Sequence, residues 1–244
     1  MAYLLQGVRQ VFPKLREEDI LYTIAGLRSL AHIGGEKPSD ITREHKVLDH
    51  KQRDGIEGFV SVLGGKITAY RAVAKDAADV VCRKLGMKVK CTTAEVPLPG
   101  APAVSPKMVA KAAKDSGLAV ETVAHLASLY GSRFSQVLEL VRRDKRGRQP
   151  ICPHCPDVLA QVEHSVKEEG AFTVSDFLLR RSAVGLGACQ GLDAVETVAK
   201  EMGRVLGWSK REQQRQVEAY RAQAALGQSF RAGSGKRSRQ TRKV

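Results

Sequence analysis

No run of about eighteen apolar residues occurs anywhere in the 244-residue chain, so hydropathy gives no membrane-spanning helix. The first twelve residues have no basic start followed by an apolar core, which argues against a secretion signal. Cysteine is scarce. Five scattered thiols cannot form a disulfide scaffold in a chain this long, and their odd number points to a reducing, cytoplasmic setting. Neither G-x-G-x-x-G nor G-x-x-x-x-G-K-[ST] is present, so the two common glycine-rich phosphate cradles are absent from this sequence. There is no paired-carboxylate motif and no internal repeat.

What is present suffices for a folded core: 43% of residues are hydrophobic and 27% charged, which excludes disorder throughout. The net charge of +14 first suggests a polyanionic partner. Its distribution weakens that reading. Residues Arg231–Val244 carry six cations and no acid, and Arg142–Arg148 carry five cations and one acid. Together they hold +10 of the +14, so the rest of the chain is nearly balanced. No aromatic residue interleaves with the basic tail, and Phe230 stands alone before it, which argues against nucleic acid as a partner. The tail suits a weak contact with an anionic membrane surface.

The chain divides by composition. In residues 1–93, three short runs predict strands: Ile20–Leu27, Lys46–Leu48 and Phe59–Leu63. Residues 34–40 predict a loop, and Lys51–Gly55 a hairpin turn. After Gly64-Gly65, apolar residues at Ile67, Tyr70, Ala74, Ala77, Val81 and Leu85 predict one face of a helix that ends at Gly86. This unit has too few elements to cover a sheet and reads as the end of a larger domain. Val96–Gly100 is a Pro/Gly linker, and 94–227 read as all-helical. Ser105-Pro106, Thr173–Asp176 and Ser209–Glu212 supply helix-start signals. Leu192, Val195, Ala199, Met202 and Leu206 form an apolar stripe. Residues 228–244 have nothing to bury and are expected to be disordered. The fold class is therefore α+β, a partial mixed sheet followed by a helical domain.

The junction Gly64-Gly65-Lys66-Ile67-Thr68 carries the chemistry. Two glycines allow close backbone approach, and a helix start with Lys66 and Thr68 favours an anion or an electron-rich ring edge. The plain alternative is a tight turn with a surface lysine. Arg28 and Arg43 stand beside predicted strands and, with Lys66, would suit a phosphate, because guanidinium forks bind oxyanions bidentately. The alternative is that both are solvated surface arginines. Cys152-Pro153-His154-Cys155 has the spacing of thiol oxidoreductases, but it follows a basic loop instead of a strand, and Pro156 comes next. As a metal site it lacks a fourth ligand, with Cys189 and His164 as candidates. No second C-x-x-C exists, so the reading is loop chemistry with no metal.

Taken in order, Ala25-Gly26-Leu27-Arg28-Ser29-Leu30, Asp40-Ile41-Thr42-Arg43, Val47-Leu48-Asp49-His50, Arg53-Asp54-Gly55 and Gly64–Arg71 resemble the FAD-dependent glycerol-3-phosphate dehydrogenases, above all the large chain of the anaerobic enzyme. Val81–Gly86 adds to this. Leu129-Tyr130-Gly131, Pro150-Ile151-Cys152, Ser175–Arg181 and Leu206–Ser209 resemble the helical C-terminal domain shared with glycerophosphate oxidases. The resemblance runs from about residue 15 to 225. It implies the end of a flavin- and substrate-binding domain, then the helical domain. It implies that Arg28 and Arg43 meet the substrate phosphate, and that Lys66 and Thr68 lie at the flavin ring and the substrate. By the same resemblance Gly64, Gly65 and Ile67 line the flavin.

The implied reaction is oxidation of glycerol 3-phosphate to dihydroxyacetone phosphate, with electrons passed to a quinone. It also implies a place in the cytoplasm, peripheral on the inner face of the cell membrane. The sequence departs from the family in three ways. The glycine-rich strand and helix that hold the ADP part of FAD are absent, so a fragment or split enzyme with a separate FAD-binding half is expected, and the catalytic base is expected in that half. Ser29 replaces the usual proline. Cys152, Cys155 and Cys189 do not match the spacing of the family's iron–sulfur-type domain. The rival reading is a non-catalytic module that binds a protein partner, nucleic acid or anionic membrane through the helical domain and basic tail.

Overall fold

The computed structural model describes residues 2–27 and 44–231. The chain forms two units: residues 25–98 make one, and residues up to 24 join 99 onward in the other. The sequence reading sets the boundary at 93. The N-terminal segment differs more, because it packs with the helices. It opens with α1 (Ala2–Arg9) and a 3-10 turn at Glu17–Asp19. The predicted strand at 20–27 pairs with no other strand among the described residues. Its Thr23 N–H donates to the Gly227 carbonyl at 2.8 Å, which ties the segment to the end of the last helix. Leu27 is fully exposed, so this apolar run faces water and not a sheet.

The smaller unit is built on β1 (Lys46–Asp49), a helical turn α2 (His50–Asp54), β2 (Val60–Leu63) and α3 (Tyr70–Lys84). The strands are antiparallel, with Lys46 opposite Leu63 and Asp49 opposite Val60. Residues 51–55, read as a hairpin turn, instead complete α2. Asp49 caps it by accepting from the Lys51 N–H at 3.0 Å, and Gly55 closes it in the left-handed region. The helix after Gly64-Gly65 forms as predicted, but of the predicted face only Ala77 is packed. Val73, Ala77, Val80 and Lys84, spaced 4, 3 and 4, are half-buried. Ile67, Tyr70, Val81 and Leu85 are exposed. Periodicity marked a helix correctly, yet α3 has apolar residues on two faces, and packing on β1 and β2 selected the other one.

The larger unit is helical: α4 (Pro106–Ser116), α5 (Val120–Tyr130), α6 (Phe134–Arg143), α7 (Ala160–Glu169), α8 (Val174–Asp176) running into a π turn (Phe177–Arg181), α9 (Val195–Leu206) and α10 (Lys210–Gln228). The helix starts behave as their side chains dictate. Ser105 accepts from the Met108 N–H at 3.3 Å, with Pro106 in the first turn. Thr173 and Asp176 form a reciprocal capping box. Ser209 caps α10, but Glu212 turns outward to Arg215 and does not close a box.

Two cores sit in this unit. One gathers Val109, Val123, Leu126, Phe134, Val137, Leu138 and Val141 from α4–α6. The other gathers Val162, Phe177, Leu178, Val195, Val198, Met202, Val217 and Tyr220 from α7–α10. In the stripe read on α9, Val195, Ala199 and Met202 are buried, while Leu192 precedes the helix and is exposed. Arg204 links α9 to α7 through Glu163 at 2.7 Å and pairs with Glu201 of its own helix at 2.6 Å. Among the described residues, no helix is long and apolar enough to cross a membrane. Most of the basic tail, from residue 232, lies outside the described residues.

Candidate functional site

The junction that the sequence singles out lies where β2 hands over to α3. Gly64 and Gly65 both take positive φ, +69° and +97°, a conformation that admits few side chains. At Gly65 a Cβ would stand 3.2 Å from the His45 Cβ, so glycine is needed for the chain to pass beside the residue that precedes β1. Lys66 is extended and starts a 3-10 turn, Ile67–Ala69, that runs into α3. No side chain caps either start, and no acid lies in the first turn of α3. The uncapped amides and the positive end of the helix dipole therefore point toward whatever approaches.

Lys66, Ile67 and Thr68 are exposed, and Lys66 has no carboxylate partner among the described residues. Antiparallel pairing places Lys46 opposite Leu63, so His45 and Lys46 flank the same end of the sheet. The His45 ring lies 2.8 Å from the Asp76 carboxylate on α3, which fixes strand and helix next to the glycines. Sequence reasoning missed His45, since its only signal is sequence adjacency to β1. Arg28 and Arg43 lie outside the described residues.

The far end of the sheet is a clamp. Lys84 donates to both Asp49 oxygens at 2.9 and 3.0 Å and pairs with Glu57 at 3.1 Å. The Lys84 ammonium holds the Asp49 carboxyl below the usual aspartate range, and Asp49 raises Lys84 in turn. Charge is thus satisfied at one end of α3 and left open at the other.

The cysteines do not form a low-pKa redox motif. Burial pushes the Cys152, Cys155 and Cys189 thiols up, opposite to what a nucleophilic C-x-x-C needs. Of the candidates for a further ligand, Cys189 does lie beside Cys152, with the sulfurs 3.8 Å apart. His164 does not join them; its ring packs edge-on against Tyr130, centroids 5.1 Å apart.

An α+β unit with an open cationic turn, followed by a helical domain with two cores, is the arrangement that the comparisons place. The profile of the C-terminal domain of alpha-glycerophosphate oxidase matches residues 91–213, half of the chain. The chain belongs to that family. Similar proteins include the glycerol-3-phosphate dehydrogenase of Synechocystis, 34% identical over 89% of this chain and 40% of the relative. A component of the anaerobic glycerol-3-phosphate dehydrogenase of Haemophilus influenzae is 35% identical over 77% of this chain and 32% of the relative. Among solved structures, the glycerol-3-phosphate dehydrogenase of Bacillus halodurans complexed with FAD aligns with a TM-score of 0.56 and 25% identity, over 69% of this chain and 35% of the other. The family resemblance read from the motifs therefore holds. The chain spans 40% or less of the length of these relatives.

Proposed function

We propose that this chain supplies the substrate- and flavin-facing edge and the helical domain of an FAD-dependent glycerol-3-phosphate dehydrogenase, which oxidises glycerol 3-phosphate to dihydroxyacetone phosphate. The observation that carries this reading is the open positive turn at Gly64–Thr68, in a chain whose helical half belongs to the alpha-glycerophosphate oxidase family. The turn fits a flavin: the glycines leave no side chain in the way, and the uncapped amides and Lys66 favour negative charge. FAD, when bound, accepts the hydride from C2 of the substrate. Lys66 then stabilises negative charge that develops opposite the helix start, and Thr68 offers a hydroxyl to the ring or the substrate. Gly64, Gly65 and Ile67 line the ring edge. Arg28 and Arg43 hold the phosphate through bidentate hydrogen bonds, which sets the orientation of C2.

The ADP half of FAD is held by a separate segment bearing the glycine-rich motif, which also brings the base for the substrate hydroxyl. Electrons pass to a quinone at the inner face of the cell membrane, where the basic tail gives weak contact with anionic lipid. Support for that placement comes from the charge of the tail alone.

A series of variants, assayed with an FAD-binding partner half, tests the site. Arg28→Ala and Arg43→Ala should each remove a charged hydrogen bond, roughly 1.5–3 kcal/mol, or about 10- to 100-fold in kcat/KM for glycerol 3-phosphate. Glycerol, which lacks the phosphate, should be turned over nearly as before. Lys66→Ala should impair both substrates, and Arg28→Lys should rescue poorly because a point charge does not reproduce the planar fork. Lower melting temperature with unchanged catalysis in all three would make these residues structural surface charges and sink the assignment.

A further inference from the structure

We infer that Cys152, Cys155, Cys189 and Asp193 form a closed tetrahedral site for a thiophilic divalent cation, of which zinc is the natural choice. Two loops far apart in sequence meet there. The first is a hairpin closed by the Pro150–Val158 bridge, with the Ile151 N–H donating to the Asp157 carbonyl at 3.0 Å. The second is the turn before α9. It is held rigid by Tyr220, which donates to the Gln190 carbonyl at 2.6 Å, and by Gln190 itself, whose φ of +49° is the one positive value outside glycine among the described residues. Both loops are thus set by the core before any ligand arrives.

The distances are those of a metal tetrahedron. Zinc–thiolate bonds of about 2.3 Å at the tetrahedral angle put two sulfurs about 3.8 Å apart, and a sulfur and a carboxylate oxygen about 3.6 Å apart. The Cys152 and Cys189 sulfurs are 3.8 Å apart, and the Cys152 sulfur is 3.5 Å from the Asp193 Oδ2. The three ligand atoms all lie within 4.8 Å of one another. A disulfide would need these sulfurs at about 2.05 Å. Cys155, on the same hairpin and packed against the same core, lies outside that three-atom group, and a turn of its side chain would bring it to the fourth place.

A second observation points the same way. Cys152 accepts the backbone N–H of His154, two positions on, at 3.4 Å. An amide aimed at the sulfur stabilises negative charge on it, which is what a metal-bound thiolate carries. Cys152 is only 2% exposed, so the site is closed to substrate and reads as structural: it would pin the hairpin after α6 to the turn that starts α9. This departs from the sequence reading, which gave the C-x-x-C no metal. Spacing alone missed Asp193, which joins only because the fold returns there.

The test is cobalt(II) titration of the full chain under reducing, anaerobic conditions. One equivalent should give thiolate-to-cobalt charge transfer and the intense d–d bands of a tetrahedral site, and zinc should displace it and raise Tm. Cys189→Ser and Asp193→Asn, both at partly exposed positions, should weaken binding at least tenfold with helical content unchanged, as should Cys155→Ser. The double change Cys82→Ser/Cys91→Ser should bind as the parent does. A pink, octahedral spectrum, equal binding by Cys189→Ser and Asp193→Asn, or isolation of a Cys152–Cys189 disulfide from protein prepared with zinc would overturn the site.

Discussion

Lys84, at the last turn of α3, donates both of its short hydrogen bonds to Asp49, at the last position of β1. One carboxylate thereby ends the strand, caps α2 and anchors the helix whose opposite end carries the open turn. Lys84→Met should loosen α3 from the sheet and speed amide exchange through α3 and β1, with α4–α10 unchanged. The folded carboxyl of Asp49 lies below its ordinary range. Its contribution is therefore complete above the unfolded aspartate value and is lost as pH falls through the folded one. A stability curve of the parent should lose its advantage over Lys84→Met in that acid window, and again in alkali as pH rises through the raised Lys84 value.

Gly131 and Gly100 meet backbone to backbone. A Cβ on Gly131 would lie 1.9 Å from the Gly100 carbonyl oxygen, and φ is +55°. Neither atom belongs to a flexible side chain, so Gly131→Ala must displace the linker from the α5–α6 turn. We expect a loss of roughly 2–4 kcal/mol in denaturant unfolding. A loss under about 0.5 kcal/mol would show that the linker moves freely.

At the start of α10 the Glu212 carboxyl is pushed down to about 2 by Arg215, at 2.6 and 2.7 Å, and by Gln216. A lowered folded value means the stabilisation is present at neutral pH and fades as pH drops toward 2. Glu212→Gln should be less stable than the parent at neutral pH and equal to it below that window. Parallel curves at all pH values would contradict this.

Deleting residues 232–244, which leaves Arg231 donating to the Ile20 carbonyl at 3.0 Å, removes five cations and no acid. Retention on vesicles of anionic lipid at low salt should be lost, while Tm stays within a degree or so, since the deleted segment has almost nothing to bury. Equal retention with and without the tail would move the contact to the folded body.

Local chemistry was well written in the sequence. Ser105, Thr173 and Ser209 announce their helices because capping depends on residues three apart. The glycine pair and Lys66 were legible for the same reason. What failed depended on distant partners. The run Ile20–Leu27 has strand composition, but its place is fixed by Gly227, some two hundred residues away. On α3, two apolar faces competed, and only packing on the sheet chose between them. Asp193 has no motif of its own and gains meaning only beside Cys152.

The central proposal is that this chain completes a glycerol-3-phosphate-oxidising flavoprotein. Its most direct test follows the flavin absorbance. The chain alone lacks a glycine-rich ADP-binding motif and should emerge from purification without FAD. Mixed anaerobically with an FAD-binding half, it should yield a flavin that bleaches on adding glycerol 3-phosphate and hardly responds to glycerol. Stoichiometric FAD on the isolated chain, or no bleaching by glycerol 3-phosphate once flavin is bound, would contradict the account.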